Sequence, residues 1–386
     1  MDSKKSKVDI NLPIIFSITL MAVAGVASIT PAFPLIIEKL NISAKSIGLL
    51  ITVFTFPGVI LTPVLGIMAD RYGRKKILVP SLFLFAAAGF ACFFARDFNL
   101  LLGFRFIQGI GAAALGALNA TIIGDVYTGN RRAQVMGYNA SVLQIGVAAY
   151  PTIGGALTIL GWYYPFLVPL LALPVGLFVL FYLNNPEPRN DQKLSEYLKD
   201  AWISIKRIQV ITIFITGVAA FIVIFGAYLT YFPILLVRNH GVTPFEIGLI
   251  MSCFAFSTAI TSFQLGKISK KYPIEKLLKI SFIIGFFCMP LIPLAGKIWM
   301  IIVLVIFMGC AQGISIPAMM TILAGLAPME TRAVFMSLNG SIIRMGQTIG
   351  PLLMGFVLGL FGLNAVFTAG AIILFLIALL LIYVFR

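Results

Sequence analysis

Long apolar runs separated by short polar connections dominate this chain, and the runs are of membrane-crossing length. Twelve can be marked, near residues 11–37, 46–69, 77–95, 99–124, 133–160, 162–183, 208–237, 246–268, 277–296, 298–326, 332–360 and 363–385. They are about 19 to 30 residues long, enough for a helix rising 1.5 Å per residue to cross a hydrocarbon core of ~30 Å. Pro31, Pro57, Pro151 and Pro351 fall inside runs. They predict kinks and not ends, because neighbouring helices can take up the freed carbonyls. The first run follows Lys4, Lys5 and Lys7. It is far longer than a signal core of about 7 to 15 residues and has no convincing small-residue cleavage site, so it is expected to stay attached. The fold class predicted is an all-α membrane protein of twelve spans.

The polar positions inside these runs repeat at an offset of 200 residues. Residues 130–155 and 330–355 align without a gap and share Arg132/Arg332, Ala133/Ala333, Met136/Met336, Asn139/Asn339, Ser141/Ser341, Gly146/Gly346, Pro151/Pro351 and Gly155/Gly355. The same offset pairs Ile47-Gly48-Leu49 with Ile247-Gly248-Leu249. It predicts two parallel six-helix bundles, 1–183 and 208–386, about an axis along the membrane normal, an architecture of secondary transporters. Residues 184–207 would be the linker, with an amphipathic stretch from Leu194 to Ile205 lying on the inner leaflet.

Composition agrees: 60% of residues are apolar and 11% charged, with a mean hydropathy of +1.04, outside the range of soluble proteins. The net charge of +15 reads as topology. With the N-terminus cytoplasmic, most of the basic residues collect on that side, including Arg71, Arg74, Lys75, Lys76, Arg131, Arg132, Lys267, Lys270 and Lys271. That places both termini in the cytoplasm of a multi-pass cell-membrane protein. Nucleic-acid binding is excluded because the charges alternate with spans and form no continuous basic surface. Cys92, Cys253, Cys288 and Cys310 have no CxxC spacing, so neither a disulfide nor a metal framework is expected, and no cofactor is implied.

The connection Gly66-Ile-Met-Ala-Asp70-Arg71-Tyr-Gly73-Arg74-Lys75-Lys76 resembles the G-x-L-A-D-R-x-G-R-K motif of the major facilitator superfamily. By that resemblance Asp70 would face the region near Thr331 to Ala333, and Arg74 would pair with Asp125. The second copy carries Lys270 and Pro273 where the first has Asp70 and Gly73, so its charge latch is expected to be lost. Arg105, Gln108, Gly109 and Gly111 are similar to the family's R-x-x-Q-G-x-G-A-A motif, which implies proton transfer or helix organisation at Arg105. A structural arginine bonded to backbone carbonyls is the other reading. Gly146, Pro151, Gly154 and Gly155, echoed by Gly346, Gly350, Pro351 and Gly355, resemble the signature of the drug/proton antiporter branch.

At about 100° per residue, Gly346, Gly350 and Met354 share one stripe of the eleventh span while Arg344, Thr348, Pro351 and Gly355 take the opposite one. Arg344 is therefore placed toward a central cavity, with Gln144 as its uncharged repeat mate. Gln347, Gln108, Asn119, Gln312, Asn139, Asn339, Tyr228 and Tyr231 are further candidate cavity residues. All thirteen acids can be assigned to termini, loops or span ends, so the buried charge is positive, from Arg105 and Arg344. A cavity of that sign disfavours a cation and favours an anionic, zwitterionic or neutral amphipathic substrate. The proton-coupling candidates are Arg105, Asp70 and Asp125. The reading is a monomeric transporter, not an enzyme, exporting small organic or amphipathic compounds by proton-coupled alternating access. The alternatives are an exporter or flippase of an organic or lipid-linked anion, an uncoupled facilitator and, more distantly, a non-transporting sensor.

Overall fold

The computed structural model describes residues 9–185, 207–326 and 332–385. Among the described residues, twelve helices long and apolar enough to cross a membrane run in order. They are α1 (Asn11–Lys39), α2 (Ala44–Tyr72), α3 (Arg74–Phe94), α4 (Phe98–Val126), α5 (Gly129–Thr158), α6 (Tyr164–Tyr182), α7 (Ile208–His240), α8 (Pro244–Ile268), α9 (Ile274–Leu294), α10 (Ile298–Leu326), α11 (Arg332–Phe361) and α12 (Leu363–Val384). Their bounds fall within a few residues of the apolar runs, since in lipid the backbone must be paired wherever the side chains are apolar. Successive crossings put both ends of the chain on one face, here the terminal face. The linker and its amphipathic stretch, and the expected partner region of Asp70 around Thr331, lie outside the described residues.

The prolines do not end their spans. α1 passes through a short 3₁₀ turn at Thr30–Ala32, around Pro31, and α2 carries Pro57 and Pro63 without interruption. α7 holds a feature with no counterpart in the apolar pattern, a wide π turn over Val223–Tyr231, in which Thr230 donates to the Phe225 carbonyl at 2.6 Å. At Gly73 the connection between α2 and α3 turns with φ 105°, a backbone region that only glycine enters freely.

The repeat is realised as two bundles with matching internal seams. The glycine stripe of α11 packs on α7: a methyl group built on Gly346 would lie 2.6 Å from the Val218 carbonyl, and one on Gly350 2.7 Å from that of Ile222. In the first bundle Gly146 and Gly154 of α5 approach Leu20, Val23 and Ser28 of α1 in the same way. Small residues let these backbones close to contact distance, which is how helices associate where lipid supplies no hydrophobic drive.

The other stripe of each helix joins the bundles. On one side α11 meets α2: Thr348 donates to the Thr55 hydroxyl at 2.9 Å, and Thr52 to the Thr348 carbonyl at 3.0 Å. On the other, α5 meets α8, with Ser252 within hydrogen-bonding distance of Thr152 at 2.7 Å and donating to the Ala148 carbonyl. These bonds all lie in the half of the molecule away from the termini. Toward the terminal face Gly66, Gly137, Gly266 and Gly340 would meet nothing within 4 Å. The bundles are thus closed at the far face and parted at the terminal face.

Candidate functional site

Arg344 sits where the closed seam gives way to the cleft. It is one helical turn, roughly 6 Å, on the terminal side of Thr348, and its side chain crosses to the other bundle. There its Cδ and Nε would lie 3.2 and 3.3 Å from a methyl group on Gly58 of α2. The lipid-facing stripe of α11 is marked by the exposed Met345, Ile349, Leu352, Leu353 and Phe356. Gln347 falls on the opposite side of the helix from that stripe, and Arg344 is 60° from Gln347 by helical geometry. Both are half-buried, and among the described residues neither side chain has a hydrogen-bond or ion-pair partner. A guanidinium at mid-span costs on the order of 2.5–3.5 kcal/mol by insertion scales, and nothing described in the protein offsets it with an acceptor. Gln144, the repeat mate, is likewise half-buried on α5.

Arg105 is the contrasting case. It is fully buried, donating from Nη1 to the Gly25 carbonyl and to Gln108 Oε1, each at 2.7 Å, and from Nε to the Leu50 carbonyl at 3.1 Å. Its guanidinium carbon lies 4.1 Å from the centre of the Phe54 ring. Nε and Nη1 tie α1, α2 and α4 together, which favours the structural reading of this motif, while Nη2 has no partner among the described residues. Gln108 follows it away from the cleft: fully buried, its Nε2 points at α3, 2.8 Å from a methyl group on Gly89.

The remaining candidates divide between the cleft and the gates. Asn119 of α4 donates to Thr19 of α1, at 2.5 Å, and to half-buried Asn139 of α5, at 3.4 Å. Asn119 Oδ1 has no partner among the described residues. Asn339, the mate of Asn139, is buried and reaches Met320 Sδ at 3.5 Å. Gln312 faces a pocket inside the second bundle, shared with Tyr228, Ser281 and Ser315. Tyr228 is buried and stacked on Phe254, ring centres 4.4 Å apart. Tyr231 is no cleft residue: fully buried, it reaches the Lys45 carbonyl at 3.4 Å and that of Pro351 at 3.5 Å, inside the closed seam. Tyr231 closes the π turn of α7, whose wider winding changes the direction of its residues relative to an α-helix.

At the terminal face Arg74 donates to Asp125 at 3.0 Å and also to Asp70. Asp70 therefore turns back one helical turn onto its own motif, while Arg71 is exposed. Nearby, Tyr127 donates to Asp9 at 2.8 Å; burial first, and then that bond, raise its phenol above the ordinary range and keep it a donor. Asp125→Asn is expected to lower stability by on the order of 1–3 kcal/mol, read as a lower thermal midpoint in detergent. Asp70→Asn should cost less, because the Asp70 side chain is 38% exposed against 13% for Asp125. Equal losses would mean that Arg74 depends on the two acids alike.

A cleft between pseudo-symmetric bundles, closed at one face, is the geometry of alternating access. The sequence profile of the Major Facilitator Superfamily matches residues 15–241 and 229–386. The chain belongs to that superfamily. As a facilitator-superfamily protein it is a multi-pass membrane transporter and not an enzyme. It is 24% identical over 362 residues to multidrug resistance protein 2 of Bacillus subtilis, covering 91% of this chain and 88% of that one. To the bacillibactin exporter of the same organism it is 25% identical over 360 residues, covering 88% of each. Its fold is similar to that of a point mutant of the nucleoside transporter NupG, with a TM-score of 0.81 at 16% identity, covering 97% of this chain and all of the other.

Proposed function

We propose that this transporter exports small organic or amphipathic compounds in exchange for protons, working as a monomer with both termini in the cytoplasm. The observation that carries the reading is the cleft between the two bundles, parted at the terminal face and ending at Arg344. In the proposed orientation that face is cytoplasmic, and the structure is the state that takes up cargo from inside. The relatives named for multidrug resistance and bacillibactin export support the direction. The concentration of basic residues at the terminal face supports the orientation. Asp70 and Asp125 are the acids placed to exchange a proton, because both lean on Arg74 at the joint between α2, α3 and α4, and their bonds must change if that joint moves.

The test is transport by the purified protein in liposomes carrying an imposed pH gradient, with an amphipathic dye as cargo. Dye movement that follows the gradient, and that Asp125→Asn uncouples, is the expected result. Movement indifferent to the gradient would reduce the protein to a facilitator, and no movement of any amphiphile would overturn the reading.

A further inference from the structure

We propose that Arg344 is the anchor for a compact anionic group, a carboxylate or phosphate, on the amphipathic cargo. The inference rests on the export reading and names its substrate class. The two mid-span arginines show why. Arg105 has carbonyl and amide oxygens at hydrogen-bonding distance and an aromatic face beneath it, whereas Arg344 has five N–H donors and no acceptor among the described residues. Its position is the second argument. It lies against Gly58 of the opposite bundle, where Gly58 has no side chain to compete for the guanidinium.

A planar fork of donors matches carboxylate and phosphate in bidentate fashion. Among the described residues no neighbour supplies a negative charge to neutralise it. The ion pairs among the described residues join Lys39 to Glu38, Arg74 to Asp70 and Asp125, and Arg131 to Asp9, all at the ends of spans. Gln347, beside Arg344 and equally unpartnered, adds an amide able to donate to the same anion or to accept from a hydroxyl next to it. An anion bound here touches both bundles at once, through Arg344 of α11 and through the backbone of α2 at Gly58, so its occupancy is felt by the seam that has to open.

The experiment compares three probes of one shape, 1-naphthaleneacetate, the neutral 1-naphthaleneacetamide and the cationic 2-(1-naphthyl)ethylamine. Each is titrated onto the full chain in phosphatidylcholine nanodiscs and followed by naphthyl fluorescence. The carboxylate is expected to bind at least about tenfold tighter than the amide, the gain of one charge-assisted bidentate contact. Arg344→Gln should erase that preference without lowering the thermal midpoint, while Arg344→Lys keeps part of it. Repeating the titration with phosphatidate in the discs separates the two sources of such a group. A lipid headgroup as ligand would already fill the site and abolish carboxylate binding, and either result keeps an anion at Arg344. Equal binding of carboxylate and amide, or a preference that survives Arg344→Gln, overturns the inference. If the amine is then still carried along a pH gradient, the export reading stands without it.

Discussion

Gly248→Leu is expected to hold the far face open and to reduce transport to the level of empty liposomes while the protein remains folded. A side chain at this position would sit inside contact distance of the Pro151 carbonyl and within 2.8 Å of Thr152 Cα, and backbone atoms of a packed helix have no alternative rotamer. Overpacking of this kind costs on the order of 1–3 kcal/mol, which lowers the population of the closed state about 5- to 150-fold relative to the open one. The cost falls only on the state in which α5 and α8 touch, so neither bundle is destabilised. Gly48→Leu at the repeat-related seam should act more weakly. There the nearest atoms are Pro351 Cβ and O at 3.0 Å, close enough to resist but able to yield by a few tenths of an ångström. A cysteine introduced at Thr52, within the seam, reports the result. A membrane-impermeant maleimide added from the far face should label it readily in the Gly248→Leu background and poorly without it. Unchanged labelling with intact transport would show that the seam does not govern access.

The sequence marks these glycines as repeat partners. Ile47-Gly48-Leu49 and Ile247-Gly248-Leu249 recur at one offset, and so do Pro151 and Pro351, but a repeat states equivalence and not contact. The direction of Arg344 was legible too, because the 100° periodicity of a straight helix separates the glycine stripe from the arginine stripe. Three placements were not. Gln108 was assigned to the cleft as a polar residue on a cavity-lining helix, although its nearest acceptor-seeking neighbour, Arg105, is only three residues away and draws it inward. Tyr231 lies in the seam at the end of the π turn of α7, a departure from α-helical winding that no apolar pattern in the sequence announces. The separation of the terminal faces was out of reach, since one sequence encodes both states of a rocking transporter and favours either by only a few kcal/mol.

Arg105→Leu is expected to cost roughly 3–5 kcal/mol and to leave little folded protein, in contrast to Arg344→Leu, which should unfold at the same temperature as the unaltered chain. The difference lies in what each guanidinium holds. Removing Arg105 strips bonds from the carbonyls of Gly25 and Leu50 and from Gln108 Oε1. It also empties a fully buried volume over the Phe54 ring, and cavity and orphaned acceptor add to one another. Gln108 is then left with both ends of its amide unpaired, because Nε2 already has no partner among the described residues. Arg105→Lys should fall between the two, since a single ammonium can reach some of these oxygens but lacks the fork that spans α1, α2 and α4 together. Arg344→Leu removes a charge that has no acceptor among the described residues, so no bond within the described protein is lost and only the cargo loses. Size-exclusion profiles of the two leucine variants after graded heating in detergent would read this directly. A normally folded Arg105→Lys variant that binds cargo but no longer couples it to protons would return Arg105 from the architecture to the relay.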